Sequence, residues 1–516
     1  MYNPRCGEIK RSTTDSANFT PHYDGDTKLK LKQYTILFLK IFSCLILLAE
    51  YCLASSKELA VEQAIQRITS NLIVQTSFEG EPQYKPLNER MKHYNTPGVS
   101  IAVVEDFKLE WARGFGVKEK GKSTPVTDTT LFQAGSISKP IFAVGVMKLF
   151  ESGRFELDEN INNILTSWKV PSNGSWSPVV TLRHLLSHSA GTTVHGFPGY
   201  TTSEAIPSLV DILNGSAPAN TDRVEVNIIP GINTRYSGGG TTIAQLAVMD
   251  RLQMPFPEIM RKTVFEPLDL KNSTFQQPLS GNWKKRAATA HPWKGRKVEG
   301  KWHIYPEMAA AGLWTTPSDL ALVGIEIQKT LRGNHKSLLS DKAVKEMLSP
   351  VVSQDIGIGF FLSGDKNSAK FGHDGWDEGF VARMTMFKET GQGFVVMINS
   401  NEGASIIKEI ENAIAKEYDW PGYNIEPTAF NIPLEKLKSY AGTYKTESGL
   451  SATLTLQKEK LTLAIGEQNP LNLAAHSETS LSVVELNTTM KFLLEDKKVT
   501  GFHLSQGNSE TKFLKQ

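Results

Sequence analysis

Two spacings of apolar residues divide the chain into strands and helices. Pro97–Val104 is apolar and rich in β-branched residues, which predicts a strand, and Leu109–Val117 predicts its hairpin partner. Ser136–Phe150 repeats apolar residues at helical spacing. Pro140 falls in its first turn and Gly153 just past its end, so we expect a helix with a defined start and stop.

The other regular segments complete a body with strands near both ends and helices between them. They are three predicted helices and two predicted strands: Lys57–Leu72, Ser318–Leu331, Ile406–Tyr418, Phe380–Phe387 and Gly393–Asn399. Ser318, after Pro317, is the expected N-cap of its helix. Residues 156–300 mix helices with loops rich in proline and glycine. This order predicts an α/β (α+β) fold, in which an antiparallel sheet is flanked by helices and carries an inserted helical lobe.

The pattern changes again after residue 430. Composition shifts near Pro421–Pro433, and helix signals become weak. Five short strands are predicted: Ser451–Leu456, Lys460–Ile465, Leu481–Val484, Lys491–Leu494 and Gly501–Leu504. We therefore expect an N-terminal extension (1–56), a main domain (57–430) and a small C-terminal all-β domain, either a barrel or a sandwich (431–516).

An apolar run near the N-terminus predicts export. Tyr34–Ala49 is apolar apart from Lys40, is preceded by three lysines, and is followed by small residues. This pattern is typical of a signal peptide. An uncleaved anchor is the alternative, because the run is close to the shortest length that spans a bilayer. We expect a periplasmic or extracellular protein, released or membrane-anchored by residues 34–49.

Charge and cysteine content narrow the range of functions. The formal net charge of the 516 residues is +2, which gives no electrostatic reason to expect nucleic-acid binding. The three cysteines, Cys6, Cys44 and Cys52, all precede the main body. A disulfide, a zinc finger or a cysteine nucleophile is therefore excluded there, and a cysteine-free body suits an oxidising compartment.

A serine and a lysine open the helix predicted at 136–150. Ser136 and Lys139 are three residues apart and so share one helix face. A helix N-terminus favours developing negative charge, and a lysine whose pKa is depressed can take the serine proton. Ser363 and Lys366 repeat the spacing in a Gly-Asp turn, where we expect no chemistry.

Tyr236 lies in a glycine-rich segment, Arg235–Gly240. We expect a loop that brings its hydroxyl close to the nucleophile. The hydroxyl can act there first as a base and then as an acid to the leaving group.

A second glycine-rich segment, Phe371–Gly379, is expected to form another loop at the site. Gly375 allows a substrate backbone to approach closely. The N–H of Trp376 is a candidate partner for the N–H of Ser136 in an oxyanion hole. His373 is a candidate donor to a substrate carboxylate or to Tyr236.

Taken in order, the three elements resemble the motifs Ser-x-x-Lys, Tyr-x-Asn and Lys- or His-x-Gly. They characterise the serine β-lactamase-like and penicillin-binding protein family, with class C β-lactamases, D-alanyl-D-alanine carboxypeptidases and related esterases and amidases. Thr181–Gly191 and Ala309–Leu320 are similar to supporting segments of that family. The resemblance spans roughly residues 85 to 420, and the C-terminal part is similar to small β domains appended to some members.

The resemblance implies a serine hydrolase of the β-lactamase/transpeptidase-like fold. It makes Ser136 the nucleophile that forms an acyl-enzyme, with Lys139 and Tyr236 sharing the proton transfers in an order that the sequence does not decide. It places the oxyanion on the backbone N–H groups of Ser136 and Trp376, and it implies neither a metal nor an organic cofactor.

Two departures from the family pattern bear on the substrate. Gly238 stands where Tyr-x-Asn has asparagine, so an amide that helps to bind an acylamide side chain is missing from this substrate-binding position. His373 replaces the lysine typical of β-lactamases. Both favour the carboxypeptidase, peptidase and esterase branches over efficient β-lactam hydrolysis.

The expected function is hydrolysis of a D-amino-acid peptide, a β-lactam or a small ester. The alternatives are a non-catalytic binding or scaffolding protein on the same fold, and an acyl transferase. His184 and His188 are four apart, but no acidic residue of a metalloprotease helix lies beside them, so we expect structural roles and no metal. The expected partner is a small-molecule or peptide substrate, with membrane association only through the N-terminal segment; the oligomeric state is left open.

Overall fold

A computed structural model describes residues 56–74, 84–293, 296–333, 337–423, 430, 432–466, 468–483, 488–496, 498–506 and 509–516. The chain divides into two compact units, Met1–Gln63 and Ala64–Gln516. In the first, residues 56–63 are helical. The predicted export segment, residues 34–49, lies outside the described residues. No helix in the described ranges has both the length and the apolarity needed to cross a membrane.

Six of the strands of the main body form one antiparallel sheet, in the order β4-β3-β10-β9-β8-β7. The strands are β1 (Leu72–Ile73), β2 (Tyr84–Lys85), β3 (Gly98–Glu105), β4 (Lys108–Gly116), β5 (Phe132–Gln133), β6 (Trp314–Thr315), β7 (Phe361–Ser363), β8 (Lys370–Asp377), β9 (Phe380–Phe387) and β10 (Gly393–Ile398). The remaining four pair as β1-β2 and β5-β6. The four strands predicted for this body are confirmed as β3, β4, β9 and β10.

Helices lie before, between and after these strands, as expected for a sheet with an inserted helical lobe. They are α1 (56–70), α2 (Leu87–His93), α3 (Ser138–Glu151), α4 (Ile161–Ile164), α5 (Leu182–Leu186), α6 (Leu209–Asn214), α7 (Gly238–Leu252), α8 (Phe256–Met260), α9 (Gly281–Arg286), α10 (Met308–Ala311), α11 (Pro317–Leu331), α12 (Asp341–Met347) and α13 (Ala404–Glu417). A 3₁₀ turn, Gly135–Ile137, leads directly into α3.

The predicted cap of α11 was wrong by two residues. Thr316, not Ser318, accepts a hydrogen bond from the Asp319 N–H at 3.3 Å. Pro317 occupies the first helical position, where its missing N–H costs nothing, so the cap must precede it.

The helix α3 is buried along almost its whole length. Its apolar side chains join a continuous core with the lobe and the sheet, in which Phe142 meets Phe256 edge-on at 5.4 Å between ring centroids. In this sheet, α11 packs against β3, β4, β9 and β10, and α13 packs against β9 and also against β1 of the separate two-stranded pair. The first residues of α3 are therefore held in place by the packed core around the helix. Side chains that carry a reaction must be fixed in this way by the residues around them.

The C-terminal part forms a closed antiparallel barrel, which confirms the predicted all-β domain. Its strands are β11 (Gly442–Lys445), β12 (Ser451–Gln457), β13 (Lys460–Ile465), β14 (Leu471–Ala475), β15 (Ser480–Val483), β16 (Thr488–Glu495), β17 (Lys498–Gln506) and β18 (Ser509–Lys515), preceded by α14 (Leu434–Tyr440). Tyr440 stacks on Phe492 with ring centroids 4.0 Å apart, so the helix contributes to the barrel's own core. The predicted strands missed β11, β14 and β18.

Candidate active site

Ser136 lies in the 3₁₀ turn at the start of α3 and is the one partly exposed residue between buried neighbours. The turn is fixed by the Ser138 hydroxyl, which donates to Gly135 O at 2.6 Å and accepts from the Leu313 N–H at 3.0 Å. The nucleophile candidate therefore sits at a helix N-terminus, as the sequence predicts, on a backbone tied to the segment after α10.

Lys139 lies one turn further along, with 4% of its surface exposed. Its Nζ atom donates to Ser136 Oγ at 2.9 Å and to Ala310 O at 2.8 Å. The second contact explains one of the supporting segments of the sequence, because residues 309–320 bring this carbonyl to the lysine. The same Nζ atom is 5.0 Å from the centroid of the Tyr236 ring.

The segment after Tyr236 was predicted as a loop, and this was wrong. Gly238 begins α7, and the Ser237 hydroxyl caps that helix by accepting from the Gly240 N–H at 2.9 Å. The Gly238 N–H donates to His195 O at 2.9 Å, and a Cβ atom there would lie 3.0 Å from Phe197 Cε2. Gly238 is buried and does not line the cleft, so the predicted substrate-binding role of this position is not supported by its placement.

Aromatic rings surround Tyr236, and two of them come from histidines that the sequence did not assign to the site. Its ring centroid is 4.3 Å from that of His188, 4.9 Å from His195, 5.9 Å from His373 and 6.1 Å from Phe361. These contacts fix the position of the phenol ring beside the nucleophile turn.

His184 and His188 do not share a helix face, because α5 ends at Leu186. His188 is buried and adopts a positive φ of 57°. Its Nδ1 atom accepts a hydrogen bond from the Ser237 N–H at 3.2 Å, which ties it to the Tyr236 segment. In the described ranges, no group of three or more His, Cys, Asp or Glu side chains is arranged to hold a metal ion.

The segment containing His373 is a strand, β8, rather than the predicted loop. It pairs with β9 over its whole length but with β7 only at Lys370–Gly372. A Cβ atom at Gly375 would lie 1.9 Å from Ala134 O, and one at Gly135 would lie 2.4 Å from Trp376 N. Backbone therefore meets backbone here, which brings the Trp376 N–H beside the turn that carries Ser136.

His373 is buried in this arrangement, and its tautomer is fixed. Its Nδ1 atom lies 2.5 Å from Asp374 O, and because a carbonyl only accepts, Nδ1 must donate. Its Nε2 atom is then an acceptor, and it has no hydrogen-bond partner among the described residues. Burial, and then the nearby Lys139 charge, lower the pKa of His373 to about 4. In this tautomer Nε2 does not donate, so donation from His373 to a substrate carboxylate stays a prediction and requires a protonated ring.

Two buried carboxyl groups lie behind the nucleophile and the lysine. Glu307 precedes α10 and is fully buried, and burial raises its pKa to about 8. Asp377 ends β8 with 3% exposure, and burial raises its pKa well above the usual range although the Lys139 charge and the Gly135 N–H oppose this. Burial therefore favours the neutral, protonated form of both carboxyl groups.

A cleft of about 630 Å³ opens at Ser136. Its lining includes Ser136, His195, Thr234, Tyr236, Asp355, Ile356, Phe361, His373, Asp374, Gly375, Trp376 and Arg383. The predicted residues Ser136, Tyr236, His373, Gly375 and Trp376 thus come together. A larger cavity of about 760 Å³, between α2 and β4, contains none of them.

A family model described as Beta-lactamase matches residues 87–416. Two curated relatives are Protein flp from Staphylococcus aureus (strain MW2) and Penicillin-binding protein 4* from Bacillus subtilis (strain 168). The first is 24% identical over 59% of this chain and 60% of its own length, and the second is 22% identical over 81% and 94%. The chain thus spans about 60% of the length of the flp relative.

A solved structure with the same fold is that of the octameric penicillin-binding protein homologue from Pyrococcus abyssi. It superposes with a TM-score of 0.59 at 20% identity, covering 83% of this chain and 98% of the other. At 20% identity, this similarity shows that the two chains share a fold.

Proposed function

The chain belongs to the β-lactamase family of serine hydrolases, and from this premise we propose that it hydrolyses an amide or an ester through an acyl-enzyme on Ser136. The observation that carries the proposal is the hydrogen bond of 2.9 Å between Lys139 Nζ and Ser136 Oγ. An activated serine needs a base within hydrogen-bond distance. Because Lys139 is buried, water is kept from replacing the lysine amine at Ser136 Oγ.

In the acylation step, Ser136 Oγ attacks the substrate carbonyl carbon while its proton passes to Lys139 in its uncharged form. The carbonyl oxygen becomes an oxyanion and accepts hydrogen bonds from the N–H groups of Ser136 and Trp376. Fixed backbone donors of this kind supply a large share of the rate in acyl transfer. The close approach of Gly135 and Gly375 to the opposing backbone is what brings these two segments together.

Collapse of the tetrahedral intermediate breaks the bond to the leaving amine or alcohol, which receives a proton from Tyr236 or from protonated Lys139. The Tyr236 ring is held between histidines and beside the Lys139 ammonium, so its hydroxyl is confined near the nucleophile. Water then attacks the acyl-enzyme and releases the carboxylic acid, which restores Ser136.

The substrate class that fits the cleft is a small amide or ester, including D-amino-acid derivatives, rather than a β-lactam. The position of the family's amide side chain is a buried Gly238, and His373 is uncharged where β-lactamases have a lysine. Neither loss affects the nucleophile, its base or the oxyanion donors.

The test is covalent labelling of the purified full-length chain with a fluorophosphonate and, separately, with a fluorescent penicillin, read by intact-mass and peptide mass spectrometry. We expect one fluorophosphonate adduct on Ser136, absent from Ser136→Ala. Slower penicillin labelling should compete with it. A folded wild type that neither probe labels would refute the hydrolase assignment and favour a binding or scaffolding role.

We also propose that the protein acts outside the cytoplasm, on the basis of the apolar run at Tyr34–Ala49 and its flanking lysines. Fractionation of expressing cells, with N-terminal sequencing of the mature protein, tests the location and shows whether residues 34–49 are removed.

A further inference from the structure

The charged side chains of the cleft are nearly all neutralised by one another. Among the described residues, those that line it are Asp355, Asp374 and Arg383. Arg383 donates from Nε and Nη2 to the two carboxylate oxygens of Asp374, each at 2.7 Å, and from Nη1 to Glu411 at 3.2 Å. Lys408, which does not line the cleft, also pairs with Glu411. Arg383 is thus held by two carboxylates and is not available to bind a third.

Of the other basic groups at the site, Lys139 and His373 do not supply a free cation either, and the third, His195, packs its ring against Tyr236 with centroids 4.9 Å apart. Lys139 is buried and donates to Ser136 and to Ala310 O. The ring of His373 is neutral, and its remaining nitrogen accepts rather than donates. A substrate carboxylate that enters this cleft would therefore lose hydrating water without gaining an ion pair with Arg383, Lys139 or His373. This loss of hydration is unfavourable.

Asp355 is the opposite case. It lies on the cleft wall just before β7, with an exposed side chain. Its side chain accepts a hydrogen bond from the Ser353 hydroxyl, a neutral donor that leaves the charge uncompensated. Its main chain is fixed, because Asp355 O accepts from the Leu362 N–H at 2.7 Å. The carboxylate is therefore an uncompensated acceptor carried on a fixed main chain.

Apolar and aromatic surface adjoins this carboxylate. Ile356 and Phe361 line the same wall, and Trp376, with half of its surface exposed, lines the cleft as well. Such surface suits a hydrocarbon or aromatic side chain, and aromatic faces also attract ammonium groups.

We infer that the cleft selects substrates that carry a protonated amine and no free carboxylate, such as amides or esters of amino acids, and that Asp355 is the residue that recognises the amine. This inference rests on the proposed function only in that the ligand is the acyl donor attacked by Ser136; the recognition itself can be measured without turnover.

Three related ligands of different charge, which share the D-phenylalanine core, separate the possibilities: D-phenylalanine amide (cationic), N-acetyl-D-phenylalanine amide (neutral) and N-acetyl-D-phenylalanine (anionic). Each is titrated by calorimetry into the full-length Ser136→Ala protein, which binds but cannot acylate, at a pH where the free amine is protonated. We expect the cation to bind about fivefold more tightly than the neutral amide, in the range of an exposed ion pair, and the anion to bind most weakly.

The variant Asp355→Asn should bind the cation and the neutral amide equally, and Asp355→Lys should reverse the order in favour of the anion. The matched control is Asp106→Asn, an exposed aspartate in the hairpin between β3 and β4, at the far edge of the sheet; it should keep the wild-type order. Raising the salt concentration should reduce the preference for the cation.

Equal binding of all three ligands, tighter binding of the anion, or a preference that survives in Asp355→Asn would overturn the inference. Fluorophosphonate labelling of the wild type is run in parallel. If Ser136 is labelled but the three ligands bind equally well, only the inferred amine specificity is refuted. If the cation binds most tightly but Ser136 is not labelled, only the proposed hydrolase function is refuted.

Discussion

Lys139 donates a hydrogen bond of 2.9 Å to Ser136 Oγ and a second one of 2.8 Å to a backbone carbonyl, Ala310 O. Among the described residues, neither of these two bonds goes to a carboxylate. The two contacts hold the amine at the serine oxygen, which is the geometry that a proton acceptor for Ser136 requires.

We expect Lys139→Met to lower the rate of fluorophosphonate labelling by roughly 10²–10⁴-fold, the range that a general base contributes. The thermal midpoint should change far less, because methionine keeps the apolar stem of the side chain. The matched control is Lys366→Met, since Lys366 follows Ser363 by the same three residues but lies in a separate 3₁₀ turn. Equal labelling rates in the two variants would remove Lys139 from the mechanism.

Glu307→Gln should change how stability depends on pH. Burial raises the pKa of Glu307 to about 8 in the folded chain, above its ordinary value of 4.5, so between these values the folded state binds more protons than the unfolded state. Stability must therefore fall as the pH rises through this window. We expect the wild type to lose about 4 kcal/mol more of its unfolding free energy than the variant between pH 5 and pH 9.

Denaturant unfolding followed by tryptophan fluorescence measures this effect in the main body, since all nine tryptophans precede residue 421. Glu299→Gln, an exposed glutamate, provides the control. Identical pH profiles for wild type and Glu307→Gln would show that the buried carboxyl is not held neutral.

His373→Gln should change stability on the acidic side. The pKa of His373 is about 4 in the folded chain, below its ordinary value of 6.5, so on acidification the unfolded state takes up the proton first. Its contribution is fully present above pH 6.5 and is lost as the pH falls towards 4. From pH 7 to pH 5 the wild type should lose about 2 kcal/mol more than the variant, by the same fluorescence measurement.

Gly375→Ala should strongly reduce the labelling of Ser136. Its Cβ atom would lie 1.9 Å from Ala134 O, which is impossible without moving β8 away from the nucleophile turn. Gly196→Ala is the control, because a Cβ atom there meets nothing within 4 Å. We expect reduced labelling together with a lower thermal midpoint in the first variant and neither change in the second. Wild-type labelling by Gly375→Ala would mean that the Trp376 N–H is not an oxyanion donor.

The sequence predicts the secondary structure of a site segment correctly where the spacing of apolar residues in that segment matches the helix or strand that it forms. The helix after Ser136 has apolar periodicity and a stop signal, and it forms as expected. The strand β8 does not have such a pattern, because glycine and aspartate are typical of turns. It is a strand because it pairs with β9 from Lys370 to Asp377, and the glycine at 375 allows the close contact with Ala134 O.

Residues brought in by distant segments could not be found from local pattern. Asp355, Arg383 and His195 belong to three separate parts of the chain and meet only through the tertiary fold. His188 was noticed for its spacing from His184, but its contact with Tyr236 depends on the end of α5 two residues earlier. The barrel strands β11 and β14 were missed because Gly442 and the run Leu471–Ala475 have weak strand propensity.

Closure of the C-terminal barrel has a consequence for how copies of this protein can associate. In the order β11 to β18, the last strand pairs with the first, so the ladder of main-chain hydrogen bonds returns to its start. A sheet without a terminal strand offers no template for strand exchange or fibril growth. A complex built on this domain therefore cannot form by strand pairing at a free sheet edge. It depends instead on contacts made by side chains on the outer surface of the barrel.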